Sequence, residues 1–135
     1  MTNPNLARDY LRRAEKRLKA VALLMQEEAY ADVVRESQEV VELVLKAVLR
    51  SFGIAVPFTH DVSETLTANA DRIPAGAASS VPRWCEVSKQ LRRDRELSFY
   101  GSEDVTPSTF YGPAEAESAL AMAREIVASA APWIV

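Results

Sequence analysis

The sequence predicts an all-α protein, folded as an antiparallel, up-and-down bundle of four long helices and one short helix. Apolar residues recur with a period near 3.6, most clearly over residues 32–52, where they form the wide stripe of a helix buried along one side. No segment alternates between apolar and polar residues, and no Asn-Gly pair marks a hairpin turn. The short link after the first helical segment favours antiparallel packing of the first two helices.

The first two helices carry local start and stop signals. Asn3 and Pro4 have the character of an N-cap and a first-turn proline, so the first helix is expected over about residues 4–26. The central apolar stripe ends before Gly53, which supplies a left-handed C-terminal stop, and Pro57 prevents an immediate restart. The helix that carries this stripe is expected to form the centre of the bundle.

The later elements are expected in the order short helix, long fourth helix, loop and long last helix. Asp61 and Glu64 have the spacing of a capping box in front of the short helix. Residues 71–80 contain proline, glycine and two serines and are predicted to be a flexible connection. Residues 102–112 are expected to form a loop that its aromatic residues hold in place, and Pro113 starts the last helix.

Length and composition predict one cytoplasmic domain spanning residues 1–135. Of these 135 residues, 48% are hydrophobic and 26% are charged, which is ordinary for a folded domain with its own core. Charges interrupt every apolar run, so no membrane span is expected. Met1 is followed by polar residues rather than by an apolar secretory segment. The single cysteine, Cys85, cannot form an internal disulfide and fits a reducing compartment.

The charge of the chain is unevenly distributed. A net charge of −3 argues against a protein built to hold duplex DNA. Basic residues are nevertheless concentrated in the first helix (Arg8, Arg12, Arg13, Lys16, Arg17 and Lys19) and in the fourth (Arg92, Arg93 and Arg95). These clusters are interpreted first as solvated helix surface, because Lys and Arg are the usual exposed residues, and local basic faces are the alternative.

The residue types exclude several chemistries. With His60 as the only histidine and Cys85 as the only cysteine, the chain lacks the ligands of a di-metal or zinc site, and no metal or cofactor is expected. Neither a GxxxxGK[ST] nor a GxGxxG phosphate-binding loop is present. A nucleophilic Cys85–His60 pair is the remaining combination. However, Cys85 stands on the apolar side of the fourth helix beside Trp84, which favours a buried, unreactive thiol.

Several segments, taken in order, resemble the HEPN domain family. Glu42–Leu49 (ELVLKAVL), Gly53 and then Thr59–Asp61 (THD) are similar to the second helix and following loop of that family. Arg95–Gly101 (RELSFYG), and Tyr111 before an alanine-rich last helix, resemble its later part. The resemblance covers nearly the whole chain. It implies an up-and-down helical bundle, usually homodimeric, that binds or cleaves RNA, often with a small nucleotidyltransferase as its partner in a toxin–antitoxin pair.

The resemblance also implies where cleaving members of the family do their chemistry. In these members an arginine near the end of the fourth helix is followed, after four to six intervening residues, by histidine. The arginine steadies the charge of the scissile phosphate, and the histidine moves a proton. In this chain the corresponding positions hold Leu97, Ser98, Phe99, Tyr100, Gly101 and Ser102, none of them histidine. Serine does not titrate near neutrality, and tyrosine with a pKa of about 10 is a poor base, so the family's ribonuclease chemistry is not expected.

The arginine cluster beside Tyr100 is the predicted binding site for a nucleotide or RNA. Guanidinium groups bind phosphates through two parallel hydrogen bonds, and an aromatic ring stacks on a base. The candidate residues are Arg92, Arg93, Arg95, Tyr100 and His60. His60 belongs to this set only if the loop after the second helix reaches the end of the fourth.

The alternative for the same arginines is a structural network. Arg92 would then pair with Glu96 at i, i+4 spacing, and Arg93 or Arg95 with acids elsewhere. Glu39 and Glu42 either face solvent or hold those arginines across the bundle.

These observations predict a homodimeric module that binds a nucleotide, RNA or a partner protein such as a nucleotidyltransferase, without catalysis. One alternative is a metal-independent ribonuclease at a dimer cleft, using Arg93 with Tyr100 or His60. The other is a purely structural dimerisation module.

Overall fold

The structure is a computed structural model that describes residues 4–58 and 62–134. These residues form four long and three short α-helices: α1 Pro4–Gln26, α2 Tyr30–Ser51, α3 Val62–Ala68, α4 Ala75–Ala78, α5 Val81–Tyr100, α6 Pro107–Phe110 and α7 Pro113–Ala130. Single turns of 3-10 helix lie at Ala70–Arg72 and Ala131–Trp133. The predicted helical bundle is confirmed. The short helices α4 and α6 were not predicted.

The central helix of the bundle is α2, which contacts α1, α5 and α7. Its apolar stripe is buried over its whole length, from Val33 through Val40 and Val44 to Val48. Alanines on the inner face of α7, among them Ala123 and Ala130, are also buried, and small side chains allow close approach of neighbouring helices. The predicted organisation around the second helix is therefore confirmed.

The C-terminus of α2 shows how a local signal sets the end of a helix. Gly53 has φ 69°, the left-handed region that glycine enters without steric cost. This geometry lets Ile54 N donate to the carbonyl of Leu49 at 2.9 Å and Gly53 N donate to that of Arg50 at 3.1 Å. The two bonds form a Schellman motif, and the predicted stop at Gly53 is confirmed.

Residues 71–80 were predicted to be a flexible connection, and this prediction is wrong for much of the segment. It contains the end of a 3-10 turn and all of α4. Ile73 and Ala77 are buried in the main core, and burial of these apolar side chains holds the segment on the bundle. Gly76 packs so closely on Trp133 that an added Cβ would lie 2.8 Å from Cη2 of the indole ring.

The predicted loop over residues 102–112 contains α6 and is anchored by one of its aromatic residues. Tyr111 is buried, whereas Phe110 is exposed. At the start of the segment a local hydrogen bond closes a turn, in which Ser102 N donates to the carbonyl of Val105 at 3.0 Å.

Asp61 of the predicted capping box lies outside the described residues. Across residues 4–58 and 62–134, every helix is too short or too polar to cross a lipid bilayer.

Candidate functional site

The predicted site lies on the last three turns of α5, the fourth helix of the sequence prediction. Leu91 and Ser98 are buried against the bundle. Because successive residues of a helix are turned by about 100°, the intervening arginines point in different directions. Arg92 and Arg93 are exposed, whereas Arg95 is partly buried at the contact with α2.

Arg95 is held by the polar side of α2. Its Nε donates to Oε1 of Gln38 at 2.9 Å, and its Nη2 donates to Oε1 of Glu39 at 2.8 Å. The interpretation of Arg95 and Glu39 as partners across the bundle is therefore the one that the geometry matches. A guanidinium with two such acceptors is a structural tie between α5 and α2.

Glu42 lies further along the same network and is buried rather than turned to solvent. Nε2 of Gln38 donates to its Oε1 at 3.1 Å, and Nζ of Lys46 donates to its Oε2 at 3.2 Å. A buried carboxylate is tolerated when it accepts charge-assisted hydrogen bonds of this kind. Gln38 thus joins Arg95 to Glu42 through its two amide atoms.

Arg35 of α2 is a member of the site that the sequence analysis did not identify. Its guanidinium carbon lies 4.3 Å from the centroid of the Phe99 ring, a cation–π contact between α2 and α5. Its Nη1 also lies 3.1 Å from Oε1 of Glu36, and its Nη2 lies 3.7 Å from Oε1 of Glu39. No spacing within one helix could have revealed Arg35, because its aromatic partner lies on a distant segment of the chain.

Two neighbouring aromatic rings extend the surface toward the end of α5. The rings of Phe99 and Tyr100 meet edge to face, with centroids 4.5 Å apart. Their side chains are 47% and 75% exposed, which is unusual for large aromatic residues. About two turns earlier on the same helix, Arg93 is exposed and makes no hydrogen bond or ion pair within residues 4–58 and 62–134. Rings and a guanidinium are thus accessible to a ligand at one end of α5.

Two predicted members of the site cannot be placed on this surface. His60 and the side chain of Glu96 lie outside the described residues, and the roles predicted for them stay predictions.

Tyr111 and Asp94 form a second polar cluster beside α5. The Tyr111 hydroxyl donates to Oδ1 of Asp94 at 3.0 Å. Burial of the ring, together with this hydrogen bond and the charge of Asp94, raises the pKa of Tyr111, so the phenol stays neutral at physiological pH. A cavity of about 310 Å³ opens beside the pair, with Val34 of α2 and Met122 of α7 in its walls. The pair anchors the α6 segment to α5.

The first turn of α5 is fastened to α7 by an exposed ion pair. Nε and Nη2 of Arg83 donate to the two carboxylate oxygens of Glu125 at 2.7 and 2.8 Å. The hydrogen bonds from Arg83 lower the pKa of Glu125. This bidentate pair lies far from the arginine-rich end of α5. It fixes the first turn of α5 on α7 and has a structural role.

Cys85 is buried, as predicted. Its Sγ lies 3.5 Å from the carbonyl oxygen of Ser63 and 3.6 Å from Oγ1 of Thr67, between α5 and α3. Within the part of the chain that the structure describes, no cluster of three or more His, Cys, Asp and Glu side chains could hold a metal ion.

Comparison with known proteins agrees with this fold. The family model described as "HEPN domain" matches residues 7–131. Among solved structures, TT1696 from Thermus thermophilus is similar to this chain, with a TM-score of 0.76 and 24% sequence identity over 96% of this chain and 98% of that one. At this identity the likeness shows a shared fold. None of the curated proteins compared with this chain matches it.

Proposed function

Because the chain belongs to the HEPN domain family, we propose that it binds a nucleotide or single-stranded RNA at the end of α5 and does not cleave it. The observation that carries this proposal is a surface of three arginines and two exposed aromatic rings, which we name the α5 surface: Arg35, Arg92, Arg93, Phe99 and Tyr100. The α5 surface combines groups for phosphates with groups for bases.

Each part of the α5 surface has a physical role in the proposal. Exposed rings stack on unpaired bases, which favours single strands over duplexes. Arg35 contacts the Phe99 ring, and the Tyr100 ring, which meets Phe99 edge to face, is largely exposed and accessible to a base. Arg93 supplies a guanidinium for a phosphate, since no intramolecular hydrogen bond or ion pair occupies it among the residues described.

Two features of α5 support binding without cleavage. Arg95 already binds Gln38 and Glu39 and is committed to the fold rather than to a scissile phosphate. Ser98, at one of the positions where cleaving relatives carry histidine, is buried, and its hydroxyl donates to the Arg95 carbonyl at 3.0 Å. A buried hydroxyl in this position does not supply the proton transfer that histidine performs there in cleaving relatives.

Fluorescence anisotropy with a labelled single-stranded RNA tests binding. Replacing both Arg93 and Tyr100 by alanine is expected to weaken binding about tenfold or more, because a stacked base contributes roughly 1–3 kcal/mol. It should also make the salt dependence shallower by about 0.7 per lost phosphate contact. Arg124→Ala removes an exposed arginine of α7 outside the α5 surface and is the matched control. Equal affinity of all three proteins, or no binding by any of them, would reject the proposal.

The same RNA, incubated with the protein in the presence of a chelator, tests the absence of cleavage. We expect it to remain intact at high protein concentration. Cleavage that Arg93→Ala or Tyr100→Phe abolishes would instead establish the metal-independent ribonuclease alternative.

Binding of a partner protein is a second candidate, favoured by the exposure of Phe110 beside the same end of α5. Phe110 is 52% exposed and lies in α6, which contacts α5. Aromatic residues are enriched in protein interfaces. The partner is proposed to be a second copy of the chain or, in a toxin–antitoxin pair, a nucleotidyltransferase. Dimerisation without RNA binding, measured by light scattering and anisotropy, would favour a purely structural module.

The proposed setting of this function is a single cytoplasmic domain. Both the location and the domain organisation stay predictions from composition.

A further inference from the structure

A small pocket opens between α1 and α2. Its volume is about 170 Å³. We name it the Tyr10 pocket, and its polar lining comprises Tyr10, Arg13 and Arg17 of α1 and Glu39, Glu42 and Lys46 of α2. The three α1 residues are spaced i, i+3 and i+7, so they share one face of the helix. Part of the basic first helix therefore lines a pocket and is not merely solvated surface.

The carboxylates in the wall of the Tyr10 pocket already have cationic partners. Glu39 accepts a hydrogen bond from Arg95 at 2.8 Å, and Glu42 accepts one from Lys46 at 3.2 Å. Arg17 has only a longer contact, with Nη1 3.5 Å from Oε2 of Glu36. Arg13 lies against the Tyr10 ring at 6.0 Å and makes no ion pair within residues 4–58 and 62–134. Arginine donors thus remain for a further anion.

A second guanidinium lies near the Tyr10 ring, although its residue, Arg50, is not part of the pocket lining. The guanidinium carbon of Arg50 lies 5.4 Å from the centroid of the Tyr10 ring. Its Nε is buried and has no hydrogen-bond partner among the residues described. A buried unsatisfied donor is unfavourable, and a cation in that condition is stabilised by a nearby anion. These guanidinium groups occur in a chain whose net charge is −3.

We propose that the Tyr10 pocket binds a terminal phosphate. The paired donors of arginine match the oxygens of a phosphate, and a terminal phosphate presents three such oxygens and up to two charges. A pocket of about 170 Å³ admits the end of a ligand rather than the path of a continuous strand. Two kinds of ligand present a terminal phosphate: a nucleotide, at its phosphate end, and an RNA, at its 5′ end.

The position of the Tyr10 pocket relates it to the α5 surface. Arg35 contacts the Phe99 ring with its guanidinium and lies 3.7 Å from Glu39, which lines the pocket. The Arg35 side chain thus lies between one ring of the α5 surface and the pocket that would hold a phosphate. The identification of the ligand as a nucleotide or an RNA rests on the proposed function. The preference of the pocket for phosphate does not.

Two ligands that differ in one group test the proposal: one oligonucleotide carrying either a 5′ phosphate or a 5′ hydroxyl. We expect the phosphorylated form to bind about tenfold more tightly, a difference equal to about 1.4 kcal/mol. Replacing Arg13 and Arg17 by alanine should abolish this difference. Replacing Arg12 and Lys16, which are exposed on the same helix outside the pocket, should preserve it. Thermal unfolding of each variant verifies that it is folded.

Inorganic pyrophosphate, titrated calorimetrically, provides the second arm. Binding of pyrophosphate that the Arg13/Arg17 variant loses, without a difference between the oligonucleotides, supports the proposal with a nucleotide as the source. Equal binding of pyrophosphate and sulfate would mean an adventitious ion only and overturns the proposal, as does a phosphate preference that persists in the variant. If pyrophosphate binds while the hydroxyl oligonucleotide does not bind at all, RNA binding at the α5 surface fails and the phosphate pocket stands.

Discussion

Nη2 of Arg95 lies 2.8 Å from Oε1 of Glu39 and joins the last turns of α5 to the middle of α2. Arg93, two residues earlier on the same helix, is turned by about 200° and faces solvent. Two arginines of one cluster therefore have different surroundings: Arg95 is hydrogen-bonded to α2, and Arg93 is exposed to solvent. Replacement of Arg95 and replacement of Arg93 are therefore expected to affect stability and RNA binding differently.

Arg95→Ala is expected to lower the free energy of unfolding by about 1–3 kcal/mol, because Gln38 and Glu39 lose a charged donor in a partly buried setting. Arg93→Ala should change it by less than about 0.5 kcal/mol, as is usual at an exposed position. Urea denaturation measures both. For RNA binding we expect the larger effect from Arg93→Ala, which should weaken binding in a fully folded protein. A variant of Arg95 as stable as the parent would show that its two hydrogen bonds contribute nothing to the fold.

Tyr111 is expected to make stability depend on alkaline pH. Its folded pKa lies above the unfolded value of about 10, so its contribution is complete below pH 10 and is lost as pH rises toward the folded pKa. Above pH 10 the parent should lose about 1.4 kcal/mol per pH unit more than Tyr111→Phe does. At neutral pH that variant should be less stable by about 1 kcal/mol, the value of the bond to Asp94.

Tyr100→Phe is the control for this alkaline experiment, because Tyr100 is exposed. It should follow the parent throughout. A Tyr111→Phe variant that loses stability as steeply as the parent above pH 10 would show that another group causes the alkaline loss.

Position 101 is not expected to tolerate any residue larger than glycine. Its φ is 73°, and an added Cβ would lie 2.5 Å from the carbonyl oxygen of Val105 and 2.7 Å from Cδ of Pro107. Gly101→Ala should therefore destabilise the protein by about 1–3 kcal/mol and disturb the segment that carries α6. Gly112→Ala is the control, since the nearest atom to its added Cβ, Oε1 of Glu115, is 3.4 Å away, and its cost should be less than about 1 kcal/mol. Equal losses in thermal unfolding would contradict this prediction.

Cys85 should react slowly with a thiol reagent in the native protein. The thiol is buried between α3 and α5, and only opening of this contact would expose it. Labelling is expected to accelerate by several orders of magnitude in denaturant. A native labelling rate equal to that of the unfolded chain would contradict the buried thiol and favour the nucleophile-pair interpretation of Cys85.

The predictions from sequence succeeded where the determining interactions are local. The stop at Gly53 depends on the backbone conformation of one residue and on hydrogen bonds within five positions. The central position of α2 follows from the wide stripe of apolar residues that recur with the period of a helix, near 3.6 residues. The assignment of residues 71–80 to a flexible connection failed because Ile73 and Ala77 gain their burial from segments distant in the chain, which composition within the segment cannot show.

The candidate site was predicted only in part for the same reason. Arg93 and Tyr100 were identified by residue type and lie together on the α5 surface. Arg35 was missed, because its contact with Phe99 exists only when α2 and α5 cross at that point. The basic residues of α1 looked alike in sequence, yet Arg13 and Arg17 line the Tyr10 pocket and Arg12 does not.

The sequence by itself determined that this chain is a bundle of helices, that α2 is its centre, and that the histidine of a cleaving site is missing from the end of the fourth helix. Helical periodicity, caps and residue types are properties of segments a few residues long, and they need no knowledge of the rest of the chain. Only the tertiary structure decided which arginines pair with carboxylates and which side chains are exposed to solvent. That choice depends on how each helix is rotated about its axis and where it crosses its neighbours, because charged groups pair only within a few ångströms.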